Sequence, residues 1–252
     1  ADVPDAALLT RMVLTITAFF IALSAPVSGV LVDRIGRKPV LLGALVLYLF
    51  SGTAGIWLEG LNEILLSRAI LGIAAGMILT SATTLIGDFY RGDARNRMAG
   101  IQVAVMVLAV ASGTTVAGYL ADTNWRLPFY LYALALPIIP LVIFGIREPV
   151  RGPRAVRDPD VPALSYGPAV LRAGVVYLII WLTMVSTFVI PSQAPFLLPE
   201  IGIPSAFVAG IAIAVFNAVA AVTAIYFRHL RTRFDNNIIL AGSYLFLGAG
   251  LL

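Results

Sequence analysis

The sequence of 252 residues contains no cysteine, a single histidine and few charged side chains. The absence of cysteine excludes disulfide bridges, thiolate metal sites and a cysteine nucleophile. Charged residues make up only 12% of the chain, whereas soluble domains carry about 25%. An ordinary globular enzyme is therefore excluded. The sequence also lacks phosphate-binding loops, paired carboxylates and clusters of metal-ligating residues, so we expect neither a cofactor nor a metal.

Apolar residues make up 60% of the chain and form long runs separated by short charged clusters. A helix needs about 20 apolar residues to cross a bilayer. An open strand would leave its backbone groups unpaired in lipid, and the runs lack the alternation of a transmembrane barrel, so each run is predicted to be helical. Seven full runs and one partial run are predicted: residues 12–32, 39–58, 64–87, 99–120, 128–146, 173–190, 207–227 and 238–252.

Basic residues are concentrated in alternate connections between these runs. Of the 17 lysines and arginines, 14 lie in the connections around residues 34–38, 91–97, 147–172 and 228–233. Basic residues in short loops stay on the cytoplasmic side of a membrane, so these connections are predicted to be cytoplasmic. This asymmetry explains the net charge of +4 without a nucleic-acid partner. We expect an integral, multi-pass protein of a bacterial inner membrane, in contact with the lipid bilayer.

The longest polar segment separates the fifth run from the sixth. Residues 147–172 contain five prolines and five arginines, a composition typical of a semi-rigid linker. The chain is therefore predicted to consist of an N-terminal helical bundle (1–146), a cytoplasmic linker (147–172) and the start of a second bundle (173–252). Because the sequence starts at Ala1 in a polar stretch and the last run has only 15 residues, we expect the protein to extend beyond both ends.

The connection after the first run contains a dense set of constrained residues. It reads Gly29-Val-Leu-Val-Asp33-Arg34-Ile-Gly36-Arg37-Lys38. Gly29 allows a neighbouring helix to approach closely, Gly36 permits a tight turn, and Asp33 can pair with Arg37 four residues later if the helix continues. The stretch resembles the signature GxxxDRxGRR between helices 2 and 3 of the major facilitator superfamily. If the resemblance holds, Asp33→Ala should impair transport while leaving membrane insertion intact.

Three other stretches are similar to motifs of this superfamily. Arg68 followed by Gly72 resembles the helix 4 pattern, although Leu71 stands where the family has glutamine. Residues 125–129, which read WRLPF, resemble the WRxxF start of helix 6. Residues 113–118 resemble the GPxxGG element of drug/proton antiporters in helix 5, with Thr114 and Ala117 replacing a proline and a glycine.

The resemblance extends over nearly the whole chain and implies a fold. It places this sequence as helices 2 to 9 of a fold that has twelve. The expected architecture is an all-α membrane protein with a partial major facilitator fold, in which eight of the twelve transmembrane helices form two pseudo-repeat bundles. In such transporters the substrate site lies near the bilayer midplane, between the repeats.

The resemblance also implies a function. We expect a secondary active transporter that moves a small organic solute by alternating access, with proton-coupled efflux by a monomer as the leading hypothesis. No acidic residue lies deep within any run, so the proton carrier would lie in helix 1 or in another segment outside this chain. One alternative is a sugar or organic-acid symporter or uniporter. Another, of a different class, is a membrane scaffold or receptor that transports nothing. Enzymatic activity is not expected, because the only histidine lies in a loop.

Two charged residues are candidates for transport or coupling. An arginine at the centre of a membrane helix costs roughly 2.5–3.5 kcal/mol on insertion scales, so Arg68 is expected to face the central cavity, where it would tune a proton site or bind an anionic substrate. The alternative is a side chain that extends to the outer interface, toward Glu59 or Glu63. Asp88 resembles an acidic residue of the family that meets the arginine of the helix 2–3 loop, and the resemblance therefore implies a cytoplasmic network of Asp33, Arg37 and Asp88 that stabilises one state of the transport cycle. The alternative is a solvated carboxylate.

The remaining candidates are weaker. Residues that could line a substrate path are Gln102, Tyr177, Trp181 and Asn217. Amides also join helices by ordinary hydrogen bonds, and aromatic residues at helical spacing also serve packing, so both alternatives stay open. Small residues predicted to mediate helix packing are Gly72, Gly76, Gly113, Ala117 and Gly118.

Overall fold

A computed structural model of the chain describes residues 6–149, 196–203 and 205–231, together with positions 174, 178, 193 and 242. Its long helices are α1 (Ala6–Ile35), α2 (Arg37–Thr53), α3 (Leu61–Phe89), α4 (Gly92–Thr123), α5 (Ala135–Gly145) and α6 (Ala206–Arg231). A 3₁₀ turn at Ala54–Ile56 extends α2, and another at Leu127–Leu134 leads into α5.

The described part of the chain contains five helices that are long and apolar enough to cross a membrane. They are Thr15–Ile35, Arg37–Ile56, Leu61–Phe89, Gly92–Thr123 and Leu127–Gly145. These helices confirm the first five predicted runs, and α6 covers the seventh. Several helices continue past the apolar run because a helical hydrogen-bond ladder can extend into the polar interface. Apart from isolated positions, the sixth and eighth predicted runs lie outside the described residues.

Helix α3 packs closely against α1 because two glycines lie at the contact. A Cβ added at Gly72 would lie 2.5 Å from the backbone oxygen of Thr17, and one at Gly76 would overlap with Ser24 Oγ. Ser24 and Ser28, on the facing side of α1, are buried and donate their hydroxyl hydrogen bonds to carbonyl groups of α1 itself. Gly72 and Gly76 thus lie where α3 comes closest to α1, and small residues allow such an approach.

Gly76→Val is expected to lower the stability of the protein by about 1–3 kcal/mol, because added bulk in a close-packed contact displaces the surrounding backbone. The measurement is thermal unfolding of the purified protein in detergent. Gly113→Val is the matched control, since Gly113 also lies inside a helix but a Cβ there meets nothing within 4 Å among the described residues. Equal melting temperatures for the two variants would contradict the assigned contact.

Few large side chains are buried between the helices. Leu41, Leu45, Leu85 and Val142 form a buried cluster that joins α2, α3 and α5. In contrast, Phe144 on α5 is 87% exposed, and many aliphatic side chains of α4 are exposed as well. A large apolar surface favours association in water, whereas lipid tails are as apolar as leucine. The distribution of apolar residues thus fits a protein whose outer surface contacts acyl chains.

Helices α4 and α6 form a second close contact. A Cβ at Gly118 would overlap with the carbonyl oxygen of Ala206, and one at Gly210 would lie 2.5 Å from the carbonyl oxygen of Thr114. Gly118 therefore lies in a close helix contact, and Ala117 lines a cavity beside it. Gly113 has no such neighbour among the described residues.

Candidate functional site

The connections between the helices contact one another in two groups, one at each end of the helices. We call residues 33–38, 88–97 and 146–149 the arginine-rich end. We call residues 54–60, 122–127 and 205–207 the opposite end. At the opposite end, Arg126 Nη1 donates a hydrogen bond to the carbonyl oxygen of Ile56 at 3.2 Å. This arrangement agrees with the alternation of sides predicted from the basic residues.

Arg37 is the centre of the arginine-rich end. Its Nε lies 2.7 Å from Asp88 Oδ2 at the end of α3, and its Nη2 lies 3.6 Å from Asp33 Oδ1. The Arg37 side chain is 17% exposed, that of Asp88 30% and that of Asp33 72%. The structure thus brings together the three residues that the sequence placed in one network. The Asp88 contact is the stronger one, because it is shorter and more shielded from water.

Glu148, which follows α5, joins the same cluster. Its carboxylate accepts hydrogen bonds from the backbone N–H groups of Arg37 and Lys38, both at 2.7 Å. These are the first two residues of α2, whose N–H groups lack partners within the helix. A negative charge at this position also interacts favourably with the helix dipole. Lys38 Nζ in turn donates to the carbonyl oxygen of Ile143 at 2.6 Å.

Gly36 makes this arrangement possible. Its φ angle of +124° lies in a region that side-chain-bearing residues rarely adopt, and it allows α2 to begin directly after α1 ends. A Cβ at Gly36 would lie only 2.7 Å from Glu148 Oε1. Arg34 lies exposed in the last turn of α1. At Gly29, no described residue comes within 4 Å of an added Cβ, so the close helix approach expected there is not seen among the described residues.

Arg68 lies in an aromatic enclosure near the opposite end. It is 7% exposed, and its guanidinium carbon lies 4.5 Å from the ring centre of Phe129 and 5.4 Å from that of Tyr132. Arg68 Nη1 donates to the Tyr132 hydroxyl at 3.1 Å. Tyr48 completes the group, with its ring centre 5.4 Å from that of Tyr132. A planar cation between aromatic faces is stabilised by cation–π attraction.

Two glycines give these rings their positions. A Cβ at Gly52 would overlap with Tyr132, and a Cβ at Gly55 would overlap with Phe129. Both rings therefore lie directly on the backbone at the end of α2 and the following 3₁₀ turn. This position brings the rings of Phe129 and Tyr132 next to the Arg68 guanidinium, although neither ring belongs to α3.

The contacts of Arg68 are not those of a side chain that extends to the interface toward Glu59 or Glu63. Within the described part of the chain, neither Glu59 nor Glu63 forms an ion pair with Arg68. Its Nε is buried without a hydrogen-bond partner among the described residues. An unpartnered N–H of a buried cation is costly, so the geometry favours a role for Arg68 that involves a further partner.

The other candidate residues are placed differently. Gln102 Nε2 lies 3.3 Å from Thr83 Oγ1 and thereby links α4 to α3, which fits the helix-joining alternative. Asn217 donates to the carbonyl oxygen of Ile213 in its own helix at 2.8 Å. Tyr177 and Trp181 lie outside the described residues. Gln102 and Asn217 thus make ordinary hydrogen bonds here, and the structure brings neither of them to Arg68.

Sequence reasoning missed several members of these clusters. Glu148 was counted only as part of the linker, although an acidic residue directly after an apolar run on the basic side is a readable signal. Phe129 was noticed as part of a motif but received no role. Tyr132 and Tyr48 carried no signal beyond aromatic character, because their contact with Arg68 depends on how three helices pack.

Five apolar helices of membrane-spanning length among the described residues are typical of a multi-pass membrane protein. The chain belongs to the Major Facilitator Superfamily, whose family model matches residues 5–252. Members of this superfamily are transporters rather than enzymes.

Several curated proteins are similar in sequence to about half of this chain. The multidrug transporter protein MdtP of Bacillus subtilis is 27% identical over 128 residues, which are 50% of this chain and 23% of MdtP. The efflux pump dotC of Dothistroma septosporum is 36% identical over 126 residues, 50% of this chain and 21% of dotC. The quinolone resistance protein NorA of Staphylococcus aureus is 29% identical over 119 residues, 47% of this chain and 30% of NorA. The chain thus spans less than a third of each relative.

A solved structure shows the same fold. The crystal structure of a D-xylose-proton symporter superimposes with a TM-score of 0.63 at 15% identity, and the match covers 89% of this chain and 59% of the symporter chain. At this identity the likeness concerns the fold alone. It confirms the expected partial major facilitator fold.

Proposed function

We propose that this chain is part of a proton-coupled efflux transporter that exports a small organic solute by alternating access. The observation that carries the mechanism is the short Arg37–Asp88 ion pair, 2.7 Å between Nε and Oδ2, which ties the start of α2 to the end of α3. Contacts that rearrange between two states are the expected means of switching access. A half-buried ion pair at one end of the bundle is suited to switching access, because it can form in one state of the transport cycle and be hydrated in the other.

Relatives support the direction of transport. MdtP, NorA and dotC are named as a multidrug transporter, a quinolone resistance protein and an efflux pump. The proposed substrate is accordingly a small amphipathic organic compound. We further propose that the protein acts as a monomer in a bacterial plasma membrane, with two helical bundles that move against each other around residues 147–172.

Arg68 has a proposed role in coupling. Its charge is held in the outer third of α3 by aromatic rings, and its Nε is free of partners among the described residues. A carboxylate that arrives from another segment, or an anionic group on the substrate, would complete its hydrogen bonds. Tyr177 and Trp181 remain proposed substrate contacts.

The test is a flux measurement on the full-length protein in proteoliposomes. We expect an imposed proton gradient to drive a fluorescent quinolone across the membrane, and we expect a protonophore to abolish this movement. Protein-free liposomes and an Arg37→Ala variant serve as controls. Proton movement driven by D-xylose instead of the quinolone would favour the symporter alternative. No gradient-dependent movement of the quinolone would contradict drug efflux.

A further inference from the structure

At the opposite end, the last turn of α4 is fastened to the first turn of α6 by one carboxylate. Asp122 Oδ1 accepts a hydrogen bond from the backbone N–H of Ala206 at 2.7 Å. Asp122 Oδ2 accepts the Ser205 hydroxyl at 2.7 Å and the N–H of Phe207 at 3.2 Å. Asp122 lies 83 to 85 residues from these partners in the sequence. It therefore acts as a helix cap that comes from another helix.

The same contact completes the capping of α6. Ser205 Oγ accepts a hydrogen bond from the N–H of Val208 at 3.3 Å while its own hydrogen goes to Asp122. The first three N–H groups of α6 thus find their partners in Asp122 and Ser205, whereas such groups have none within a helix. The negative charge also lies at the positive end of the helix dipole. Loss of Asp122 would leave two of these donors to water.

The fastening continues down the contact between α4 and α6. Tyr119 and Phe207 meet edge to face with ring centres 6.1 Å apart. Gly118 lies against the backbone of Ala206, and Gly210 lies against that of Thr114 one turn further on. Beside the contact is a cavity of about 270 Å³ whose lining includes Thr114, Ala117 and Ser205. Helices α4 and α6 therefore contact each other through aromatic rings, glycines and hydrogen bonds, and a cavity lies beside this contact.

We propose that Asp122 and Ser205 form a latch that holds the opposite end of the α4–α6 contact closed and releases it when that end opens. This inference rests on the proposed function, because alternating access requires the contact between the two predicted bundles to break at each end in turn. Helix α4 lies in the first predicted bundle and α6 in the second. Hydrogen bonds that one carboxylate accepts from the start of a helix are suited to such a device, since water can replace every partner when the helices separate.

The experiment measures the distance between the two helices in the full-length protein. Spin labels are attached to Thr123→Cys on α4 and Val208→Cys on α6, both at exposed positions in a chain that has no cysteine of its own. We expect a dominant short distance in the parent protein. Asp122→Ala should increase the ratio of long to short distances at least about threefold, and Asp122→Asn less, because an amide oxygen can still accept a hydrogen bond.

Glu200→Ala is the matched control, since Glu200 is an exposed acidic residue in the segment before α6 and should leave the distances unchanged. An unchanged distance distribution in folded Asp122→Ala would overturn the latch. Should Asp122→Ala fail to fold, Ser205→Ala decides, because it removes one of the three hydrogen bonds to Asp122 together with the one that Ser205 accepts from Val208. A shift to longer distances supports the latch, and no shift overturns it. The readout needs no substrate, so a protein that moves no quinolone but opens in Asp122→Ala would contradict the efflux proposal and keep the latch.

Discussion

Arg68→Lys is expected to lower proton-coupled transport roughly 30-fold, which corresponds to the loss of about 2 kcal/mol of cation–π and hydrogen-bond stabilisation. Lysine keeps the charge but not the planar group that lies between Phe129 and Tyr132. Its ammonium group would also be drawn toward water. Transport of the quinolone in proteoliposomes gives the rate, and the amount of protein in the membrane fraction shows whether insertion is intact.

The control for this prediction is Arg126→Lys. Arg126 also lies over an aromatic ring, with its guanidinium carbon 5.0 Å from the ring centre of Trp125, but Trp125 is an exposed residue. An exposed cation–π contact contributes only about 0.5–1 kcal/mol, so transport should fall less than about fivefold. Tyr132→Phe should give an intermediate loss, because it removes one hydrogen bond and keeps the ring. Wild-type transport by Arg68→Ala would refute a coupling role for Arg68.

The positions of the membrane helices could be predicted from the sequence because one constraint dominates them. Lipid offers no hydrogen-bond partners, so a run of about 20 apolar residues must form a helix. The bounds of α3 are an example. The predicted apolar run 64–87 stops just before the charged residue Asp88, whereas the helix itself extends over Leu61–Phe89. Composition locates the lipid-embedded part, whereas the helix ends depend on local hydrogen bonds.

Contacts at the arginine-rich end were predictable only in part. Asp33 and Arg37 are only four residues apart, but α1 ends at Ile35 and α2 begins at Arg37, so the two side chains meet across the turn at Gly36. Asp88 was included because of a family resemblance. Glu148 is separated from Arg37 by 111 residues, and its position directly after an apolar run does not identify α2 as the helix that it caps. A contact of this kind follows from the packing of α5 beside α2, which sequence spacing does not encode.

The case of Arg68 shows the same limit more sharply. Its position within an apolar run predicts that the charge needs a partner. Which partner it finds depends on the rotation of α3 and on two glycines that let aromatic rings approach, Gly52 in α2 and Gly55 in the 3₁₀ turn after it. The sequence alone left the central cavity and the outer interface as alternatives, and the aromatic enclosure was not considered.

Arg37→Ala and Asp88→Ala are each expected to lower transport about tenfold, and the double variant should be no slower than the slower single variant. The reason is that each single change leaves a half-buried charge without its partner, so the second change costs little more. A thermodynamic cycle on thermal stability should give a coupling free energy of about 1–2 kcal/mol, within the range for residues in direct contact. Asp93→Ala is the control, because Asp93 is an exposed acidic residue at the same end.

The neighbouring pair provides an internal comparison. Arg37 Nη2 and Asp33 Oδ1 are 3.6 Å apart across the turn between α1 and α2, and Asp33 is 72% exposed. Water screens such a pair, so the same cycle on Asp33 and Arg37 should yield a coupling free energy of only about 0.2–1 kcal/mol. If the Arg37–Asp88 coupling proved no larger than this, the ion pair would be a surface contact without a part in switching. A large coupling free energy, together with reduced transport in both single variants, would place the Arg37–Asp88 ion pair between α2 and α3 among the contacts that change during the transport cycle.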